Sequence, residues 1–540
     1  MRIQFRVRLL DCLIGLAVAL FLLLFYANSL WQLLQQSGDS DWLSLFNDSY
    51  FWHILRFSLL QALLSTLLSI IAGLLTAHAL FYRTFIAKSW LLKIFSLTFV
   101  LPVLVAIFGL IGIYGLSGWF SQLLAWLQID WRPQLYGLNG ILIAHLFFNL
   151  PLASKIFLQA LQSIPVQQRQ LAAQLNIRNG NFFRLIEFPY LRQQLLPVFV
   201  LIFMLCFTSF AIVLTLGGGP QYTTLEVAIY QALTFDFDLN KAAMLALVQF
   251  VLCFVLFQLS HYFNRHTATA LSKQHDWYPP QPLNRTFASI HNLTLVSVGL
   301  FIGLPLLNII YSGLTSPALW QVWQNPKLWQ ASAYSLTLAP LAALLSLLMS
   351  SALLLAARQF RWYYHTKTAD HLINIGMMIL AIPTLVLAIG LFLLLQQTDF
   401  STWHLFLIVA LCNALVAMPF VLRILATPFN DNMLFYEKLC QSLGIRGWAR
   451  WRLIEWQQLR RPLRTAYAYA FALSLGDFTA IALFGNQDFS SLPRLLYQQL
   501  GHYRSQEAVV TALILLLLCA LIFLVIEKTD NKIDDQNTAA

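Results

Sequence analysis

The chain has 540 residues, a formal net charge of +11, a mean hydropathy of +0.68, 59% hydrophobic residues and only 10% charged ones. Soluble domains average roughly 45–50% apolar and 25% charged residues, so this composition excludes a soluble globular protein and points to an integral membrane protein. The positive balance does not indicate nucleic acid, because the basic residues fall mainly on one set of loops between apolar segments.

Apolar stretches of about 20 residues, each able to cross a bilayer core as a helix, recur along the chain. They predict spans near 9–30, 55–80, 93–115, 138–160, 196–216 and 242–264, then near 288–312, 333–357, 372–396, 403–425, 464–485 and 507–527. Arg2, Arg6 and Arg8 precede the first span and Asp39, Asp41 and Asp48 follow it, which places both termini in the cytoplasm. The first span has the charged start of a signal peptide. It exceeds the usual apolar core and lacks a small-residue cleavage site, so it is expected to remain as a helix. Cys12, Cys206, Cys253, Cys412 and Cys519 lie in spans and Cys440 in a cytoplasmic loop, which argues for packing residues rather than a disulfide framework. Residues 265–287, with Lys273, His275, Asp276, Pro279, Pro280 and Pro282, read as a polar cytoplasmic linker between two halves, 1–264 and 288–540.

The halves repeat one another. QLNIRNGNFFRLIEFPYLR at 174–192 and SLGIRGWARWRLIEWQQLR at 442–460 lie a constant 268 positions apart and agree at nine of nineteen positions. At the same offset Pro151 matches Pro419, and Phe203, Phe210 and Gly217 match Phe471, Phe478 and Gly485. Trp52 and Ser58 match Trp329 and Ser335, and Leu101-Pro102 resembles Ile382-Pro383. Six spans per half give both halves the same orientation, and hence a pseudo-two-fold along the membrane normal with a pathway at their interface. The expected fold class is therefore an all-α polytopic membrane protein of twelve helices in two parallel six-helix repeats.

The duplicated loop, 163–192 and 431–460, carries the chemistry of greatest interest. Gln167, Gln168, Arg169 and Gln170 open a short polar helix through Ala172 and Ala173. Asn176 then stands where the second copy has Gly444, the residue types that suit a left-handed helix end. Phe183 and Ile186, like Trp451 and Ile454, fall three apart. Flanked by Arg178, Arg184 and Arg192 or by Arg446, Arg452 and Arg460, they suggest an apolar plug for a cleft in a soluble partner. A basic amphipathic helix on anionic lipid is the plainer alternative, but lipid binding does not require a defined turn.

These loops resemble the EAA loop of bacterial ABC importer permeases, in which Glu-Ala-Ala is followed after three residues by Gly, by Phe seven later and by Pro thirteen after the Gly. Phe183 and Pro189 match that spacing from Asn176, and Trp451 matches it from Gly444. Gln170 and Lys438 replace the Glu, Asn176 replaces the first Gly and Gln457 the second Pro, so the second copy lacks the Pro that marks the helix exit in the family. The resemblance implies that Gln170, Ala172, Ala173, Asn176, Arg178, Phe183, Arg184, Ile186, Glu187 and Pro189, with Lys438, Gly444, Arg446, Trp451, Arg452, Ile454 and Glu455, form coupling helices seated on an ATPase.

Segments 41–56, 138–178, 201–231 and 494–527 are similar to the fused thiamine importer permeases of Gram-negative bacteria, so that the resemblance covers nearly the whole chain. It implies a multi-pass protein of the bacterial inner membrane that imports thiamine and its phosphate esters. Two copies of an ABC ATP-binding subunit would dock at the cytoplasmic face, and a periplasmic thiamine-binding protein would deliver the cargo. The chain would not itself be an enzyme and would carry no cofactor, ATP and Mg being held by the partner ATPase.

Asp477, in SLGDFTAIALFGN, is an ionisable group inside an apolar span, at a cost of about 2.5–3.5 kcal/mol at a bilayer centre. It reads either as a countercharge for a thiazolium cargo or as a structural carboxylate bonded to a neighbouring helix. Its counterpart is Ser209. His145 and Asn149 lie one turn apart on the fourth span, with Asn413 opposite His145 in the repeat, as pathway residues or, the favoured reading, as glue between helices. Gly217-Gly218-Gly219-Pro220 has no following Lys-Ser/Thr and reads as a turn, not a phosphate loop. No metal-ligand cluster or nucleophile triad is present in the sequence pattern. Two alternatives remain: a fused ferric-iron importer permease, and an ion-coupled secondary transporter, whose spans would need more ionisable residues than Asp11 and Asp477.

Overall fold

The computed structural model describes residues 2–38, 41–129, 134–264, 285–362, 365–395, 402–445, 447–485 and 490–538. Most of the expected linker, and Arg446, lie outside the described residues. Helices dominate. In the first half they are α1 (Arg2–Gly38), α2 (Ser49–Tyr82), α3 (Lys88–Val100), α4 (Val103–Tyr114), α5 (Leu138–Gln162), α6 (Val166–Gln174), α7 (Phe188–Phe207), α8 (Phe210–Leu216), α9 (Leu225–Thr234) and α10 (Leu239–Asn264). In the second half they are α11 (Arg285–Thr315), α12 (Pro326–Trp362), α13 (Thr366–Gly376), α14 (Thr384–Leu395), α15 (Thr402–Ser442), α16 (Trp456–Gly476), α17 (Thr479–Phe484), α18 (Leu492–Gly501) and α19 (Ser505–Thr538). Further short helices lie between them, among them Trp42–Asn47, Trp119–Trp126 and Leu319–Gln324.

Among the described residues, 11 helical stretches are long and apolar enough to cross a membrane. The passage expected near 372–396 is instead divided between α13 and α14, because Pro383 cannot donate the backbone bond that would continue the helix. The all-α, roughly twelve-span architecture follows.

Equivalent residues make equivalent bonds in the two halves. Trp52 donates its indole N–H to the Phe46 carbonyl at 2.8 Å, and Trp329 donates to the Trp323 carbonyl at 2.8 Å. The Ser58 hydroxyl accepts from the Leu225 amide at 2.9 Å, and Ser335 from the Leu492 amide at 2.8 Å, each fastening the start of a short helix (α9 or α18) to a long one.

The first helix of each half reaches across to the other half while keeping a contact in its own, α1 with α10 and α11 with α19. α1 packs on α12 and α14, while α11 packs on α4 and α2. Small residues permit the close approach: a Cβ on Gly15 would lie 2.4 Å from the Ala356 Cβ and 2.6 Å from the Ala352 carbonyl oxygen. Ser29 adds a hydrogen bond to the Leu387 carbonyl at 3.0 Å. Leu22, Tyr26 and Leu33 of α1 are fully buried against the bundle.

Candidate functional site

Four transmembrane passages are broken, two from each half. The breaks fall at Leu101-Pro102 between α3 and α4, Thr208-Ser209 between α7 and α8, Ala381 to Pro383 before α14, and Asp477-Phe478 between α16 and α17. Non-helical backbone at membrane depth is tolerated where it lines a cavity or is buried in protein. These breaks converge on a cavity of about 300 Å³ between the halves. Its wall includes Ser209, Asp477, His145 and Asn149, which the sequence reading had singled out, and Glu226 of α9, which it had not. Asn413 is not part of that wall.

Each polar group has a definite local role. His145 Nδ1 lies 2.8 Å from the Ser65 hydroxyl, joining α5 to α2, while its Nε2 has no partner. Asn149 donates to the Cys206 sulfur at 3.3 Å, joining α5 to α7. The two residues therefore fasten helices and also line the cavity. Asp477 Oδ1 accepts from the Thr479 amide at 3.4 Å, and the Asn413 amide, turned to satisfy its neighbours, donates to Asp477 Oδ2 at 2.8 Å. Asp477 is thus bonded both to the backbone just past the break and to a neighbouring helix. Glu226 is 1% exposed; its Oε1 accepts from Gln249 at 2.6 Å and its Oε2 has no partner.

Aromatic rings bracket the cavity along its axis. On the side of the repeated loops, Phe99 meets Phe420 at 5.0 Å and Tyr469 at 6.4 Å between centroids. On the opposite side Phe210 stacks on Phe478, and these two equivalent residues are in turn capped by Tyr230 at 5.1 Å and Tyr497 at 4.9 Å. Beyond Phe99, toward the loops, lies a second cavity of about 420 Å³ whose wall includes Lys93, Ser96, Lys155, Gln159, Thr465 and Tyr469. Lys155 bonds to the Ser96 hydroxyl there.

The repeated loops adopt one design twice. Asn176 (φ 53°) and Gly444 (φ 68°) both occupy the left-handed region at the end of the first helix. After the turn, Phe183–Glu187 and Trp451–Glu455 each form a π-helical turn, closed by the Phe188 amide on the Phe183 carbonyl and the Trp456 amide on the Trp451 carbonyl. A π-turn in the same place in both copies is a local irregularity of the kind found at functional sites. Gln168 accepts from the Tyr190 hydroxyl at 3.0 Å, and in the second copy Tyr436 accepts from Gln458 at 3.4 Å, so one bond survives with its two residue types exchanged.

The π-turn rotates the glutamates inward. Glu187, 1% exposed, accepts from the Tyr82 hydroxyl at 2.6 Å and lies 3.3 Å from His78 Nε2, both at the end of α2. Glu455 pairs with Arg358 of α12 at 2.9 Å and with Arg450 at 2.9 Å, and Arg450 also pairs with Glu437. Each loop is therefore locked to a membrane helix of its own half. Arg169, missed as an anchor, is buried, donates to the Leu161 carbonyl at 2.6 Å and lies 4.8 Å from the Phe81 ring. Burial pushes its guanidinium pKa down, opposed by the charge of Glu187.

Facing outward are Phe183, Arg178, Arg184, Pro189, Gln170, Lys438, Gly444 and Arg452, whereas Ala172 is buried and Ala173, Ile186, Trp451 and Ile454 are half-buried. The most exposed matched apolar groups are leucines: Leu175 (62%) with Leu443 (63%), Leu185 (58%) with Leu453 (53%), and Leu171 (55%) with Leu439 (47%). Their 268-residue spacing is visible in the sequence, but their exposure is not.

The family model described as "Binding-protein-dependent transport system inner membrane component" matches residues 65–269. The chain is similar to the thiamine transport system permease protein ThiP of Haemophilus influenzae, with 58% identity over 510 residues covering 94% of each chain. The protein of the same name from Escherichia coli is 48% identical over 516 residues, 95% of this chain and 94% of its own. The sulfate transport system permease protein CysW of a Synechocystis species is 24% identical over 263 residues, which is 47% of this chain but 94% of that protein.

Proposed function

Because the chain belongs to the family of thiamine transport system permeases, inner-membrane components of binding-protein-dependent transport systems, we propose that it moves thiamine across the inner membrane by alternating access. It is the permease subunit of an ATP-driven importer and works with an ATPase and a periplasmic binding protein. The observation that carries this reading is the 58% identity over 94% of both chains. The ferric-iron alternative is not favoured, since the relatives that align over nearly the full length are thiamine permeases. An ion-coupled secondary transporter would not need the paired loops.

Two ATPase copies, one per loop, dock against 163–192 and 431–460. The matched leucines Leu171, Leu175, Leu439 and Leu443, with Phe183 and the arginines around them, supply the contact, and both termini face the cytoplasm. Closure of the ATPases on ATP pulls the loops together. Glu187 on Tyr82 and His78, and Glu455 on Arg358, carry the pull into α2 and α12, so that the halves rock about the broken helices. Loaded binding protein and nucleotide shift this equilibrium only through their different affinities for its two states. In this division of labour residues 1–264 and 288–540 are the two levers and 265–287 the link between them.

Reconstitution in liposomes with the ATPase and the binding protein tests the reading. Labelled thiamine should accumulate only when ATP, ATPase and binding protein are all present. Uptake by the chain alone, or uptake indifferent to ATP, overturns it.

A further inference from the structure

The cavity at the broken helices has an electrostatic character that hydropathy did not reveal. Its wall carries two carboxylates, Glu226 from the first half and Asp477 from the second, and among the described residues no Lys or Arg lines it. Asp477 is held by Asn413 and Thr479, but Glu226 keeps one oxygen buried and without a partner. A buried acceptor in that condition is a large uncompensated cost, which a cation in the cavity would remove. The volume of about 300 Å³ lies at the small end of ligand pockets, roughly 300–1,000 Å³, and suits a compact two-ring molecule. Phe210, Phe478, Phe99 and Phe420 form aromatic parts of the wall and offer the flat faces that attract a cationic ring.

We propose that this cavity is a cargo site within the membrane domain that holds an organic monocation, with the free oxygen of Glu226 as its direct contact. Asp477 acts at one remove: it shapes the break between α16 and α17 and adds negative potential. The site is asymmetric, since the residue after Leu492, in the place that Glu226 holds after Leu225, is Pro493, so a single cargo lies off the pseudo-two-fold axis. The proposal rests on the thiamine reading, whose thiazolium ring supplies the positive charge, but it concerns a different measurement.

The permease–ATPase complex in nanodiscs, without binding protein, is titrated at equilibrium with labelled thiamine, both nucleotide-free and trapped with vanadate. Deazathiamine, in which a neutral thiophene replaces the thiazolium, serves as the competitor. Wild type should bind thiamine roughly tenfold or more tighter than deazathiamine, the discrimination expected of a buried charged contact. Glu226→Gln should abolish that preference with little effect on deazathiamine, and Glu226→Asp should retain part of it. Equal wild-type binding of the two compounds, or no binding in either state, overturns the site even if both variants fail to fold. A wild-type transporter that binds thiamine here but does not import it would sink the functional reading instead.

Discussion

Phe210 and Phe478, equivalent residues 268 positions apart, stack across the interface of the halves with ring centroids 5.9 Å apart and planes 10° from parallel. Each also packs on an equivalent tyrosine, Tyr230 or Tyr497, so four rings form a row behind the cavity wall that Phe210 and Phe478 supply. A row built from both halves must separate if the halves rock apart.

The stack therefore contributes both stability and closure. Phe210→Ala and Phe478→Ala in a double-mutant cycle should show a coupling of about 0.5–1.5 kcal/mol beyond the apolar area lost, the usual worth of an aromatic pair. Thermal unfolding in detergent reads the coupling. The double variant should also hydrolyse ATP with less dependence on loaded binding protein, and a wild-type dependence would show that the row is not the closure.

Asn176 and Gly444 differ in what they tolerate. Both sit at positive φ, where a side chain costs roughly 1–2 kcal/mol and a β-branched one more. Asn176→Gly should preserve uptake and add slightly to stability. Asn176→Val with Gly444→Val should cut thiamine uptake at least tenfold while membrane insertion continues, as followed by labelled uptake and by retention of the ATPase on the purified chain.

The two buried glutamates should not be equally costly to lose. Glu455→Ala strands the Arg358 guanidinium, whose Nε and Nη1 already lack partners, and breaking a buried ion pair costs about 3–5 kcal/mol. Glu187→Ala leaves a tyrosine hydroxyl and an imidazole, and takes from Arg169 a nearby countercharge but no direct ion pair, at roughly 1–3 kcal/mol. Melting temperatures of the two variants should fall in that order, and the reverse order would contradict the packing of the loops.

Gly15→Leu drives a side chain into Ala356 and Ala352 and should cost about 1–3 kcal/mol as α1 is pushed from α12. Increased proteolysis of the N-terminal segment in detergent, set against unchanged cleavage in Leu13→Ala on an exposed face, checks it.

Much of this design was legible in the residues. The repeat and the left-handed turns depend on local chemistry, which a sequence displays, whereas hydropathy carries the spans near 93–115 and 372–396 straight through Pro102 and Pro383. Glu226 was not legible, because it lies between the predicted spans 196–216 and 242–264 in a stretch that reads as an external loop. Only the packing of α9 against the bundle, fixed by the Ser58 bond to Leu225, brings its carboxylate to the cavity. The inward turn of Glu187 and Glu455 was hidden for another reason. A π-turn inserts an extra residue into the helical register, so faces counted at a spacing of three and four no longer apply. Partner choice of α1 was equally invisible, since hydropathy marks a segment as spanning without saying which neighbour it will join.

The crossed seating of α1 and α11 has a bearing on biogenesis. Each half emerges from the ribosome short of one wall that the other must donate, so neither can complete its fold while alone. Carrying both on one polypeptide guarantees equal supply of the two and keeps the donated helix within reach. A separately expressed half should accordingly be an orphan that the cell's quality control removes, and co-expression of the two halves should rescue it.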